Sequence, residues 1–103
     1  MQAEALAHVF KALSEPVRVQ LMALLLERGE LCVCDLVDTL ALPQSLVSRH
    51  LACLRRQALV TATRRGVWMH YQIAPEAREQ LAPVLQMLTL LPVPAPDSAS
   101  RCC

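Results

Sequence analysis

The sequence predicts a small, mainly α-helical domain that carries one β-hairpin. Apolar residues recur at helical spacing along most of the chain, which indicates several amphipathic helices. Two β-rich runs meet at the basic tripeptide Arg64-Arg65-Gly66, which indicates the hairpin. The chain has 103 residues, 54% of them hydrophobic, so it can form one small core. Its longest uninterrupted apolar run, Leu21 to Leu26, is far shorter than the roughly 18 residues of a membrane span.

Two helices are predicted in the N-terminal third. Residues 3 to 13 have apolar side chains at helical spacing, which forms one apolar face. Ser14 is expected to cap the second helix, with Pro16 in its first turn, where a missing N–H costs nothing, and Gly29 at its end. The buried stripe of this helix comprises Val17, Leu21, Leu24 and Leu25.

Cys32 and Cys34 lie where a third, short helix is expected to start, over about residues 34 to 41. In a continuous α-helix, residues two apart point roughly 200° away from each other, so their sulfurs could not bind the same ion. A soft ion that binds both sulfurs would therefore have to unwind the helix start. We interpret the pair as an ion-binding site that is also a conformational switch.

A fourth helix, over about residues 44 to 57, has an apolar face and a polar face. The apolar face comprises Val47, Leu51 and Leu54. The opposite face offers small hydroxyl groups and arginines that can reach base edges and phosphates. Its residues are Ser45, Ser48, Arg49, Ala52, Arg55 and Arg56. The short third helix, a tight turn and this helix together predict a helix-turn-helix that binds DNA.

The hairpin follows directly, with strands over Leu59 to Thr63 and Val67 to Ile73. A hairpin with arginines at its tip, next to a recognition helix, is a wing that places Arg64 and Arg65 beside the DNA backbone or minor groove. The formal net charge is only +1, yet residues 44 to 75 contain five arginines and no acid. This local positive charge favours a phosphate-binding face, and the predicted architecture is a winged helix-turn-helix.

A last helix is predicted over about residues 75 to 90. Together with the first helix it has more apolar surface than a small core can cover, so we expect the terminal helices to pair across a two-fold axis. From Pro92 the composition changes to proline and serine, which indicates a flexible tail that ends in Cys102 and Cys103. The expected organisation is a dimeric domain over residues 1–91 and a tail over residues 92–103.

Several features are absent from the sequence, and they lead to expectations about the compartment of the protein and about its chemistry. The N-terminus has no features of a secretion signal, so we expect a cytoplasmic protein whose cysteines stay reduced. No set of nucleophile, base and orienting residue is visible, and there is no phosphate loop. We therefore expect no enzyme activity, no organic cofactor and no membrane partner.

Three stretches of the chain resemble the ArsR/SmtB family of metal-responsive winged-helix repressors, most closely its arsenic-sensing members. They are Glu30-Leu31-Cys32-Val33-Cys34-Asp35-Leu36, Ser48-Arg49-His50-Leu51 with Leu54-Arg55, and Gly66-Val67-Trp68-Met69-His70-Tyr71. The resemblance covers about residues 5 to 90. It implies a homodimeric repressor that leaves its operator DNA when As(III) or Sb(III) binds Cys32 and Cys34.

The same resemblance implies which residues lie at or near DNA. In the fourth helix they are Gln44, Ser45, Ser48, Arg49 and His50, and in the wing Arg64 and Arg65 match. The helical wheel supports the serines and Arg49 but puts His50 nearer the core. A structural role for His50 is therefore an equal alternative.

The ligand set of the cysteine pair stays open. Arsenic sensors of this type often carry a third cysteine where this chain has Val37, and As(III) prefers three thiolates. The third sulfur could come from Cys102 or Cys103, from a small cytosolic thiol or, less favourably, from Cys53.

Three other functions stay open in the same fold. The protein could sense Cd(II) or Pb(II), although residues 1 to 31 contain no cysteine to complete a four-ligand site. The terminal cysteines could bind an organoarsenical. A disulfide within either cysteine pair could instead make the chain a thiol redox regulator.

The chain departs from the family pattern at two further positions. Ala58 stands where a helix-ending glycine is expected, and it would cost up to about 1 kcal/mol if its φ were positive. Leu46 stands where related sensors tend to carry a basic residue, which suggests a changed DNA contact.

Overall fold

The computed structural model describes residues 2–92, and this part of the chain contains six helices and one three-stranded sheet. The elements in chain order are α1 (Ala3–Ala12), α2 (Pro16–Arg28), β1 (Leu31–Cys32), α3 (Val33–Leu40), α4 (Gln44–Arg56), β2 (Val60–Arg65), β3 (Trp68–Ile73), α5 (Pro75–Gln80) and α6 (Ala82–Leu88). The predicted fold class is confirmed. The tail predicted over residues 92–103 lies outside the described residues from residue 93 onwards, including Cys102 and Cys103.

The N-cap of α2 lies one residue later than predicted. Glu15, not Ser14, caps the helix, because its Oε2 atom accepts hydrogen bonds from the backbone N–H groups of Val17 and Arg18 at 2.9 and 3.2 Å. The Ser14 hydroxyl donates instead to the carbonyl oxygen of Lys11, at the end of α1. At the corner between the two helices, Ser14 thus bonds to the end of α1 and Glu15 caps the start of α2.

The sheet has one strand more than the predicted hairpin. The two-residue strand β1 pairs antiparallel with β3, so the strand order is β1-β3-β2. Leu31 lies opposite Tyr71, and Cys32 lies opposite His70. A two-residue strand has no detectable periodicity, so only the pairing with β3 defines it. As a result, Cys32 ends a strand and α3 begins at Val33.

The turn of the wing begins two residues later than predicted and is one residue shorter. The β2–β3 ladder closes with Arg65 opposite Trp68, so the turn is Gly66-Val67, and both arginines lie at the end of β2. Gly66 has a φ of +66°, a conformation that glycine adopts without steric cost and that two-residue hairpin turns require.

The predicted last helix is two helices, and the prediction of a single one was wrong. The chain leaves helical geometry at Leu81, which has a φ of −113° and a ψ of 23°. Pro83 explains the break, because its ring would clash with the carbonyl group of Glu79 and it has no N–H to donate. The Leu85 N–H then donates to the carbonyl oxygen of Leu81 and starts α6.

Helix α4 is anchored by one fully buried face. Val47, Leu51 and Leu54 are all completely buried, as the periodicity predicts. Through them α4 contacts α2, α3 and β2. The core therefore fixes which face of α4 remains exposed to solvent.

None of the helices within residues 2–92 is long and apolar enough to cross a membrane.

Candidate functional site

The two cysteine sulfurs already lie together in a folded helix start. Cys32 is the N-cap of α3 and has an extended backbone, with a φ of −77° and a ψ of 160°. Cys34 lies in the first turn. Because Cys32 is outside the helix, its sulfur is not turned away from that of Cys34, and the Sγ atoms are 2.8 Å apart. The expectation that the helix must unwind before one ion can reach both sulfurs was therefore wrong.

Cys32 forms a capping box with Asp35. The backbone N–H of Asp35 donates to Cys32 Sγ at 3.4 Å, and the backbone N–H of Cys32 donates to Asp35 Oδ2 at 3.3 Å. This reciprocal pair satisfies donors that the first turn of a helix leaves without partners. The sulfur of Cys32 is thus a structural acceptor as well as a candidate ligand.

The described residues provide two sulfurs at this site. Within residues 2–92, no group of three or more histidine, cysteine or acidic side chains is placed to hold a metal ion. Cys53 is a half-buried free thiol on α4 that packs against the core. Val37, where a third cysteine would be expected, also packs against the core. Both candidate ligands of the tail, Cys102 and Cys103, lie outside the described part of the chain.

The oxidation state of the pair matters for any binding experiment. Cys34 is disulfide-bonded in this structure. The 2.8 Å between the sulfurs of Cys32 and Cys34 is too long for a bond between these two atoms, which is about 2.05 Å. Binding to the pair must therefore be measured on reduced protein.

The polar residues predicted on α4 form one exposed face. Gln44 and Ser45 are exposed at the start of the helix, and Ser48 is half-buried one turn later. The remaining exposed residues of this face are Arg49, Ala52, Arg55 and Arg56. Small residues and arginines therefore share the surface that a DNA groove would meet.

His50 is directed away from this face. Its side chain is only 13% exposed and lies against the start of α2. Nδ1 is 3.4 Å from Arg18 Nη1, and Nε2 is 3.7 Å from Glu15 Oε2. The sequence did not identify Glu15 or Arg18 as partners of His50. Its one relevant indication was the helical wheel, which places His50 near the boundary of the core.

The two wing arginines differ in their surroundings. Arg64 is exposed near the turn. The Nε–H of Arg65 donates to Glu30 Oε1 at 3.0 Å, and the Arg65 side chain is 58% exposed. Glu30 immediately precedes β1. This ion pair therefore joins the wing to residues 31–35, which contain both cysteines and are called the cysteine segment below.

The cysteine segment contacts both predicted DNA-binding elements. Through β1 it pairs with β3, the middle strand of the sheet and the second strand of the wing. Through α3 it packs against α4. A displacement of residues 31–35 would therefore reach the wing and α4 by separate contacts.

Comparison with known sequences identifies relatives of this chain. A family profile described as bacterial regulatory protein, arsR family, matches residues 15–62. The chain is 34% identical over 85 residues to an HTH-type transcriptional regulator of Methanocaldococcus jannaschii, covering 82% of this chain and 96% of that protein. It is 45% identical over 67 residues to the arsenical resistance operon repressor of Escherichia coli, covering 65% of this chain. The match spans only 57% of that repressor.

Solved structures share the fold. HlyU from Vibrio cholerae superposes with a TM-score of 0.74 at 29% identity, covering 88% of this chain and 100% of that one. A second similar structure is the homodimeric winged helix-turn-helix DNA-binding domain of a possible ArsR-family transcriptional regulator from Mycobacterium bovis. Its TM-score is 0.72 at 30% identity, covering 82% of this chain and 78% of that one.

Proposed function

Because this chain belongs to the ArsR family of bacterial regulatory proteins, we propose that it is a repressor released from operator DNA by As(III) or Sb(III) bound to Cys32 and Cys34. The fold and the family are those of DNA-binding transcriptional regulators. The observation that carries the proposal is the buried pair of sulfurs, 2.8 Å apart, in the cap of the helix that packs on α4.

The DNA-binding part of the proposal assigns α4 to the major groove. Ser45 and Ser48 contact base edges, and Arg49, Arg55 and Arg56 contact base edges or phosphates. Arg64 and Arg65 of the wing contact the backbone or the minor groove. These arginines make affinity depend strongly on salt concentration, because each neutralised phosphate releases counterions.

The protein binds its operator as a homodimer in this proposal. Large apolar side chains are exposed on α1, on α6 and just after α6, namely Phe10 at 51%, Met87 at 67% and Leu90 at 83%. A second copy would bury them across a two-fold axis. Two recognition helices related by this axis would then meet successive major grooves about 34 Å apart on a palindromic site.

The metalloid part of the proposal uses Cys32 and Cys34 as thiolate ligands. Relatives named for arsenical resistance support this choice of ion. Three thiolates complete the preferred set for As(III), so the third sulfur comes from Cys102, Cys103 or a small thiol. Cys53 is a poorer candidate because it packs against the core on α4.

The release step follows from the double role of Cys32. A sulfur that binds an ion is a poorer acceptor for the Asp35 N–H, and the loss of a helix cap costs about 1 kcal/mol. Residues 31–35 then shift, and their contacts with α4 and β3 transmit the shift to both DNA-binding elements. A coupling of about 3 kcal/mol would weaken operator binding more than a hundredfold. By linkage, DNA weakens ion binding by the same factor.

Operator binding with and without arsenite tests this function. Duplexes selected from a random library by the reduced native protein serve as the operator. At fixed salt, we expect arsenite to weaken native binding about a hundredfold and to have little effect on Cys34→Ser. Cys53→Ser is the matched control and should respond like the native chain. Native protein that stays on its operator in saturating arsenite would show that the assignment is wrong.

Two more variants identify the third sulfur. Val37→Cys supplies a thiol one turn after Cys34, so we expect release at lower arsenite concentrations. A chain truncated after Pro92 removes Cys102 and Cys103. An unchanged response of this truncation would exclude the tail, whereas a weakened response would assign the third ligand to it.

A further inference from the structure

We infer that His50 is a positioning residue: it orients the DNA-reading face of α4 by joining α4 to the corner between α1 and α2, and it does not itself contact DNA. The inference rests on the proposed DNA-binding function. It concerns how α4 is held, which the family assignment does not address.

The two ring nitrogens of His50 face Glu15, the N-cap of α2, and Arg18, in the first turn of α2. Nδ1 lies 3.4 Å from Arg18 Nη1, and since a guanidinium can only donate, Nδ1 is the acceptor. In that tautomer Nε2 carries the proton and points it toward Glu15 Oε2, 3.7 Å away. The ring therefore has a distinct partner on each of its polar edges.

These two partners are themselves held in place. Glu15 Oε2 caps α2 by accepting the N–H groups of Val17 and Arg18. The Nε–H of Arg18 donates to the carbonyl oxygen of Ala12, the last residue of α1, at 2.6 Å. His50 thus connects α4 to the end of α1 and the start of α2 through groups that have little freedom to move.

The position of His50 in α4 makes this connection relevant to DNA reading. Arg49, the preceding residue, lies about 100° around the helix from His50 and is exposed, whereas the His50 side chain is 13% exposed. The apolar contacts of Val47, Leu51 and Leu54 hold α4 on the core but are not directional. The hydrogen bond of His50 is directional, so it restricts rotation of α4 about its axis and sets where Ser48 and Arg49 point.

A double-mutant cycle tests this role. Operator and random-sequence duplexes are titrated with His50→Ala, Arg18→Met and the double variant, at a temperature where circular dichroism shows each to be folded. We expect His50→Ala to weaken operator binding about tenfold and to change random-sequence binding less than about twofold. In the Arg18→Met background the same change should cost less than about threefold, because the partner is already gone. His50→Gln, which keeps an acceptor and a donor, should restore most of the loss.

The outcomes separate the two levels of the proposal. A His50→Ala loss that is the same in both backgrounds means direct DNA contact and overturns the positioning role alone. An equal loss on operator and random duplexes means a general loss of structure and also overturns it. A native chain with no sequence preference overturns the proposed DNA-binding function, and the inference with it.

Discussion

Ala41 and Ala58 end α3 and α4 in a left-handed conformation that alanine rarely adopts. Their φ angles are +54° and +58°, and both residues are exposed. The Cβ atom makes this conformation costly by about 1 kcal/mol, which glycine avoids. The departure from a helix-ending glycine at Ala58 is therefore a real steric cost in this fold.

We expect Ala58→Gly and Ala41→Gly each to raise the free energy of unfolding by about 0.5–1 kcal/mol. Ala52→Gly is the matched control, because Ala52 is exposed within α4 at ordinary helical geometry. It should lower the free energy of unfolding by about 1 kcal/mol. Urea denaturation of the reduced proteins measures all three. Destabilisation by Ala58→Gly would mean that the left-handed end of α4 is not strained.

The sulfur of Cys32 has a structural role that can be measured without any metalloid. We expect Cys32→Ala to destabilise the protein by about 1–3 kcal/mol, because it removes the cap of α3 and leaves a small cavity. Cys32→Ser keeps an acceptor for the Asp35 N–H and should cost less than Cys32→Ala. Equal losses from the two substitutions would indicate that the capping bond contributes nothing. Cys53→Ala, which removes a half-buried thiol with no capping role, is the control.

At the scale of elements, the two arginines of the wing differ in their electrostatic surroundings. Arg64 is exposed, whereas Arg65 is bonded to Glu30 at 3.0 Å. An arginine that must leave a carboxylate before it meets a phosphate contributes less to DNA affinity than one that does not. The wing is therefore expected to bind DNA mainly through Arg64, with Glu30 restraining Arg65.

Salt titrations of operator binding test this difference. We expect Arg64→Ala to reduce the slope of log affinity against log salt by about 0.9 for each lost phosphate contact, and Arg65→Ala to reduce it less. Glu30→Gln should tighten operator binding by about twofold to fivefold, because it releases Arg65 and removes a negative charge near DNA. If Glu30→Gln weakens binding, the ion pair supports the wing and does not compete with DNA. Glu27→Gln, an exposed change on α2, controls for net charge.

At the scale of the whole molecule, the exposed apolar side chains on α1 and around α6 are expected to form the dimer interface. Phe10 is 51% exposed on α1 in the single chain, a large area for an aromatic side chain. We expect Phe10→Glu to shift the protein from dimer to monomer and to weaken operator binding at least tenfold, because two half-sites are no longer bound together. Sedimentation measures the first effect and DNA titration the second.

Val67→Glu provides the control for dimerisation. Val67 is 83% exposed at the turn of the wing, so it is equally apolar at the surface but distant in sequence from the terminal helices. Its substitution should leave the sedimentation behaviour unchanged. A Phe10→Glu protein that remains a dimer would place the interface elsewhere on the chain.

The features that the sequence by itself determined are those encoded by neighbouring residues. The buried face of α4 follows from Val47, Leu51 and Leu54, because helical periodicity directs them to one side whatever they pack against. The wing and its glycine turn were predicted to within two residues, because the β-rich runs and Gly66 are also signals from neighbouring residues. The break between α5 and α6 was equally local, since Pro83 signals it, but the single-helix prediction overlooked that proline.

Only the tertiary structure decided the features that join distant residues. Cys32 ends a strand because it meets His70, and this pairing brings its sulfur to Cys34 without any unwinding of α3. The contact of His50 with Arg18 spans 32 positions, and that of Arg65 with Glu30 spans 35. No local pattern specifies such pairs, because which surfaces meet depends on how all the helices share one core. The sequence thus indicated which residues carry chemistry, and packing decided which of them act together.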